Sequence, residues 1–167
     1  MKLGEIARVR RGVVTGNRAL FVMTRTQAKE RGIEVFVKPI VGGARDLPKS
    51  GAPVVRDGAH REVIIVASQR DVEQHSALRK YLAGSVPRIA TVHPAPIAAT
   101  YVGIPRFVAN PDALVVTNAL YAVTPRQSMN NKEILALVER LNASAARLQK
   151  GRFADRYSPR AMELLEI

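Results

Sequence analysis

Val9-Arg10-Arg11-Gly12-Val13-Val14-Thr15-Gly16-Asn17-Arg18-Ala19-Leu20-Phe21-Val22 sets two short apolar runs on either side of a turn built from two glycines and an asparagine. Glycine and asparagine tolerate φ > 0 and leave backbone N–H groups uncovered. Arg8, Arg10, Arg11 and Arg18 bracket the turn. A guanidinium beside such a loop suits phosphate oxygens or the acceptor edge of guanine. The same residues also read more plainly as a strand, a turn and a second strand with solvated arginines, because glycine-bearing turns are common.

Outward from this turn, strands and helices alternate. Residues 3–14 read as a strand pair or a strand entering the turn, and residues 19–23 as a buried strand. Thr24 with Gln27 forms a capping box that opens a helix, and Gly32 is its stop. Residues 33–40 read as extended chain ended or edged by Pro39. Residues 42–60 are loop-rich, with Arg45, Lys49, Arg56 and Arg61 in or just beyond them. That loop suits a nucleic-acid groove and suits a disordered hairpin tip equally. Glu62–Ala67 is the clearest buried strand, and Ser68 with Asp71 caps a helix that Gly84 ends.

Pro87, Pro94 and Pro96 make residues 85–100 irregular or edge structure. Arg106–Ala109 and Ala113–Val116 read as strands joined by an Asn110-Pro111-Asp112 turn. Leu120–Val123 reads as another strand. Asn130 with Glu133 caps the best helix, whose stripe is Ile134, Leu137, Val138, Leu141, Ala145 and Leu148. Ser158-Pro159 opens a last short helix. The expected fold is α/β (α+β), a curved mixed β-sheet flanked by three or four helices in a single domain.

Charge is the strongest compositional signal. The 167 residues carry a net charge of +12, and residues 1–60 alone hold 12 basic against 5 acidic residues. A field concentrated around the glycine-rich turn favours a polyanion: DNA, RNA or an acidic membrane surface. The alternatives are an inert basic surface or one that docks an acidic protein. Few aromatics and no Trp argue against an RNA-stacking sheet. No apolar run is long enough for a membrane span and the N-terminus lacks a signal-peptide core, so no membrane is expected. The absence of Cys removes disulfides and thiolate metal sites and fits a cytoplasmic setting.

Four stretches in order carry a family resemblance. They are Arg10 through Thr24, then Val37-Lys38-Pro39-Ile40 with Arg45-Asp46-Leu47, then Pro94-Ala95-Pro96-Ile97 through Pro105-Arg106-Phe107-Val108-Ala109-Asn110-Pro111, and finally Val116-Thr117-Asn118-Ala119-Leu120-Tyr121. Together they resemble the C-terminal target-recognition (specificity) domain of adenine-specific DNA methyltransferases from restriction–modification systems. The tail from Gly151-Arg152-Phe153 to Ile167 is weakly similar to that family's closing segment. The family's tryptophan-rich segment before Pro94 has no counterpart here.

The resemblance implies sequence-specific recognition of double-stranded DNA. It implies DNA-binding roles for Arg10, Arg11, Thr15, Gly16, Asn17, Arg18, Arg45, Arg106 and Asn118. Arginines would hold the backbone or read guanine, and Thr15 and Asn17 would bond bases or phosphates. Asn118 also reads, and more readily, as a structural hydrogen-bonder.

The family's catalytic half needs a glycine-rich loop for S-adenosylmethionine and an Asn/Asp-Pro-Pro-aromatic tetrapeptide for the flipped adenine. Asn110-Pro111-Asp112-Ala113 departs from that tetrapeptide after two residues and reads as a turn. The catalytic methyltransferase domain is therefore expected on a partner domain or subunit, with S-adenosylmethionine bound there and no cofactor or catalytic residue in this chain. His60, His75 and His93 lack metal-ligand spacing. A small metal-dependent nuclease is the enzymatic rival, and it lacks clustered acids for a divalent cation. A basic protein-interaction module is the other rival.

Overall fold

The computed structural model describes residues 1–48, 62–89, 91–147 and 157–167. Lys49, Arg56, Arg61, His60, Leu148 and the Arg152–Arg156 basic segment lie outside the described residues. Among the described residues, eight strands form two open four-stranded sheets. The first sheet contains β1 (Ala7–Arg11), β8 (Tyr121–Pro125), β5 (Ile97–Ala99) and β6 (Phe107–Ala109) in that order, all antiparallel. The second contains β2 (Val22–Thr24), β4 (Glu62–Ile65), β3 (Val37–Val41) and β7 (Val115–Val116), with β7 parallel to β3. The α+β class is as the sequence implies, with the strands divided between two sheets.

Alternation along the strands assigns each face. In the first sheet Ile97, Ala99, Phe107, Tyr121 and Val123 pack with the stripe Ile134, Leu137, Val138 and Leu141. That stripe belongs to α6 (Asn131–Arg147), which is opened by reciprocal bonds between Asn130 and Glu133. The opposite face, Ala98 and Val108, packs on Val41, Leu114, Val116 and Leu120, so the ends of β3 and β7 join the two sheets. The second sheet packs Met23, Val63 and Ile65 against α3 (Arg25–Glu30) and α5 (Ser76–Leu82).

Three capping boxes expected from the sequence form: Thr24–Gln27, Ser68–Asp71 and Asn130–Glu133. Gly32 ends α3 at φ +65. The helix from Ser68 is broken by His75, at φ −116 and ψ 108, into α4 (Gln69–Gln74) and α5. The last helix, α7 (Pro159–Glu163), starts at Ser158 and buries Met162.

Four local expectations are corrected. Leu3–Ile6 is a helical turn, α1, because the Glu5 carboxylate accepts the Lys2 N–H. Arg18–Phe21 is a second helical turn, α2, because Asn17 Oδ1 accepts from the Leu20 N–H, leaving only Val22–Thr24 as strand. Ile97–Ala99 is an interior strand rather than an edge, since Pro96 stops one residue short and contributes only its carbonyl, to the Asn110 N–H at 2.7 Å. Pro39 lies within β3, one residue before the β7 ladder begins at Ile40.

Asn110 makes the expected turn, but the turn links the two sheets. Its buried carboxamide donates to the Ala95 and Leu114 carbonyls at 2.9 and 2.8 Å and accepts from the Leu114 N–H at 3.1 Å. At the free edge of β6, the Asn142 carboxamide bonds both the N–H and the carbonyl of Phe107, at 2.9 and 2.8 Å. This amide from α6 stands in for a further strand and covers the edge.

Candidate nucleic-acid interface

The chain crosses between the sheets at one rim, and the four resembling stretches meet there. After β1, Gly12 passes over the Val116–Thr117 peptide, and the Val13 N–H donates to the Val116 carbonyl at 2.8 Å. The Asn118 N–H returns a bond to Val13 O at 3.0 Å. Thr117 Oγ1 donates to Gly42 O at 2.9 Å, and the Gly42 N–H donates to the Asp46 carboxylate at 2.7 Å. The Arg106 guanidinium donates to Ala44 O at 3.2 Å. Residues about 30 to 100 positions apart thus form one hydrogen-bonded loop cluster.

The nine residues proposed from the sequence occupy different parts of this rim. Arg10 pairs with Ala122 and Arg11 with Tyr121 across β1–β8, so the two side chains leave opposite faces of the first sheet. Both are exposed. Arg11 lies beside Tyr121, whose ring stacks on Tyr101 at 4.6 Å and whose hydroxyl donates to Tyr157 O at 2.6 Å. Burial pushes the Tyr121 phenol above its ordinary value of 10.0, and the Arg11 cation opposes that shift.

Gly16 takes φ +73, and the Arg88 guanidinium lies 3.6 Å from where its Cβ would be. Arg88 is exposed and adds a cation to the turn that the sequence reading did not single out. No local pattern marks Arg88, because it reaches Gly16 only through the fold. Thr15 is half-buried. The Asn17 side chain is committed to capping α2, leaving its amide nitrogen for other partners.

Arg18 forms an ion pair with Glu62, both about half exposed (51% and 50%). Gly42 passes beneath it, and a Cβ there would stand 3.3 Å from the Arg18 guanidinium. Part of the charge expected at the turn is therefore neutralised by the first residue of β4. Arg45 is exposed on a short 3₁₀ turn, Ala44–Asp46. Arg106 is partly buried, and its Nε is buried without a hydrogen-bond partner among the described residues. Its fixed end braces Ala44, and with it the turn that presents Arg45.

Asn118 is exposed. Its backbone carries the structural bonds, the N–H to Val13 and the carbonyl from the Tyr101 hydroxyl at 3.4 Å. Its side chain is thus on the surface of the rim. A cavity of about 330 Å³ opens between Ala44, Thr100, Tyr101, Ile104 and Arg106.

Among the described residues, no group of three or more His, Cys, Asp or Glu side chains is placed to hold a metal ion. No described helix is long and apolar enough to cross a membrane. His75 packs edge-on against Phe36 at 4.6 Å, and His93 is exposed. Compared with protein-family models and with curated proteins, the sequence matches none.

Proposed function

We propose that this chain reads double-stranded DNA as the target-recognition domain of an adenine-specific DNA methyltransferase. A catalytic domain or subunit would bind S-adenosylmethionine and carry out the transfer. The observation that carries the reading is the meeting of the four resembling stretches, which lie far apart in sequence, at one rim joined through Thr117, Gly42 and Arg106.

The chemistry of the rim suits the task. Arg45 and Arg88 are exposed there, Arg10 and Arg11 are exposed on opposite faces of the β1 end that leads into it, and planar guanidinium forks match phosphate oxygens and the O6/N7 edge of guanine. Thr15, the Asn17 amide and Asn118 add short polar groups that can bond bases without large rearrangement. Backbone contacts would set orientation, and the polar side chains would supply the sequence preference.

Repeated selection of bound duplexes from a random pool tests this reading. A target-recognition domain enriches one short motif that contains adenine. Enrichment of no motif, from a protein that nevertheless binds, would reduce the role to sequence-independent anchoring. Absence of binding would instead favour the protein-interaction module, whose basic surface docks an acidic subunit.

A further inference from the structure

We infer that the tip of the β5–β6 hairpin, Val102-Gly103-Ile104, is an apolar wedge that enters a base-pair step of the bound duplex. The inference rests on the DNA-reading role of the rim. Val102 is 61% exposed and Ile104 is 40% exposed, two residues apart on one tip. Gly103 takes φ +67, and among the described residues a Cβ there would meet no atom within 4 Å. Single exposed apolar residues are ordinary, but a paired set on one hairpin tip is less so.

The root of the tip is stiff. The Thr100 N–H donates to Arg106 O at 3.0 Å, and the Arg106 N–H donates to Thr100 Oγ1 at 2.9 Å. Pro105 is buried, and the Tyr101 ring is stacked on Tyr121. A wedge must hold its shape against the stack it opens, and these contacts fix it.

The surroundings select the occupant. Arg106 immediately precedes β6 at the base of the tip, Arg45 follows the Ala44 that Arg106 holds, and Arg11 lies beside the Tyr121 that supports Tyr101. Cations around two aliphatic side chains, in a chain of net charge +12, match a phosphate-lined groove with a stacked interior. Aliphatic residues inserted between base steps unstack them and kink the duplex, while flanking arginines hold the backbone. An acidic protein groove is the rival occupant.

The test uses duplexes rich in TA and CA steps, which kink most easily. They carry donor and acceptor dyes at the ends and 2-aminopurine at the steps. The wild-type chain is expected to bend them by about 20–90° and to raise 2-aminopurine fluorescence. Val102→Ser/Ile104→Ser should lose both signals while keeping most of its binding, and Ile104→Leu should keep both. Wild-type binding without bending or unstacking would overturn the wedge and leave DNA reading intact. Equal bending by the double variant would also overturn it. So would loss of all binding by a folded double variant, which would make the tip an anchor. Failure of the wild type to bind would overturn both readings.

Discussion

Gly12 and Thr117 touch through their backbones: a Cβ at Gly12 would lie 2.1 Å from the Thr117 carbonyl oxygen and 2.5 Å from its carbonyl carbon. The atoms in the way are backbone and cannot rotate aside. This crossing carries the chain from the first sheet to the second, and it places the turn against Asn118 and the loop of Gly42.

Gly12→Ala should therefore be strongly destabilising, about 3 kcal/mol or more, as for severe overpacking. Gly16→Ala should cost only about 1–2 kcal/mol, the strain of a left-handed backbone, since its Cβ would meet just the Arg88 side chain at ordinary contact distance. Urea unfolding of both variants checks the order. Equal costs would mean that the Gly12 crossing yields more readily than its geometry implies.

Asn110→Ala removes three bonds from a buried turn and orphans the Leu114 N–H and two carbonyls. The expected loss is about 2–4 kcal/mol, from buried groups left without partners. A loss below about 1 kcal/mol in the same measurement would show that water replaces the carboxamide.

Much of this architecture is legible in local chemistry. The pairs Thr24–Gln27, Ser68–Asp71 and Asn130–Glu133 announce their helices, because a cap and its partner lie three residues apart. The stripe from Ile134 to Ala145 announces which face of α6 is buried. The parallel pairing of β7 with β3 is not legible, since Val115 meets Ile40 from 75 positions further along the chain. Ala19–Phe21 looks like strand by its residues, and one side-chain bond from Asn17 turns it into helix. At the rim, arginines stand out in the sequence. That Glu62 neutralises one of them, Arg88 joins them and Arg106 braces Ala44 depends on contacts made only in three dimensions.

Glu62→Gln should free Arg18. Its effect on stability should be small, about 0–1 kcal/mol, because both partners are half exposed. Affinity for duplex DNA should rise, and the slope of log K against log salt should steepen by up to about 0.9 as one more phosphate is neutralised. An unchanged slope would place Arg18 outside the interface.

Asp71 supplies an acid-sensitive contribution. The Ser68 backbone N–H, followed by the Ser68 hydroxyl, holds its carboxyl below the ordinary value of 3.8. A carboxyl depressed in the folded state stabilises above its unfolded pKa, and the contribution fades as pH falls through the lower folded value. The stability gap between wild type and Asp71→Asn should therefore be constant near neutrality and shrink below about pH 4. A gap that is unchanged at pH 2–3 would assign the difference to packing.

On the proposed reading, the rim binds duplex DNA through its exposed arginines. The most direct measurement is binding of the purified chain to duplex DNA across a salt series, beside Arg10→Ala/Arg11→Ala/Arg45→Ala. Wild-type affinity should weaken steeply with salt. The variant's slope should be shallower by up to about 2.7, at roughly 0.9 for each phosphate that an arginine no longer neutralises. Binding that is absent, or equally salt-dependent in both proteins, would contradict the claim.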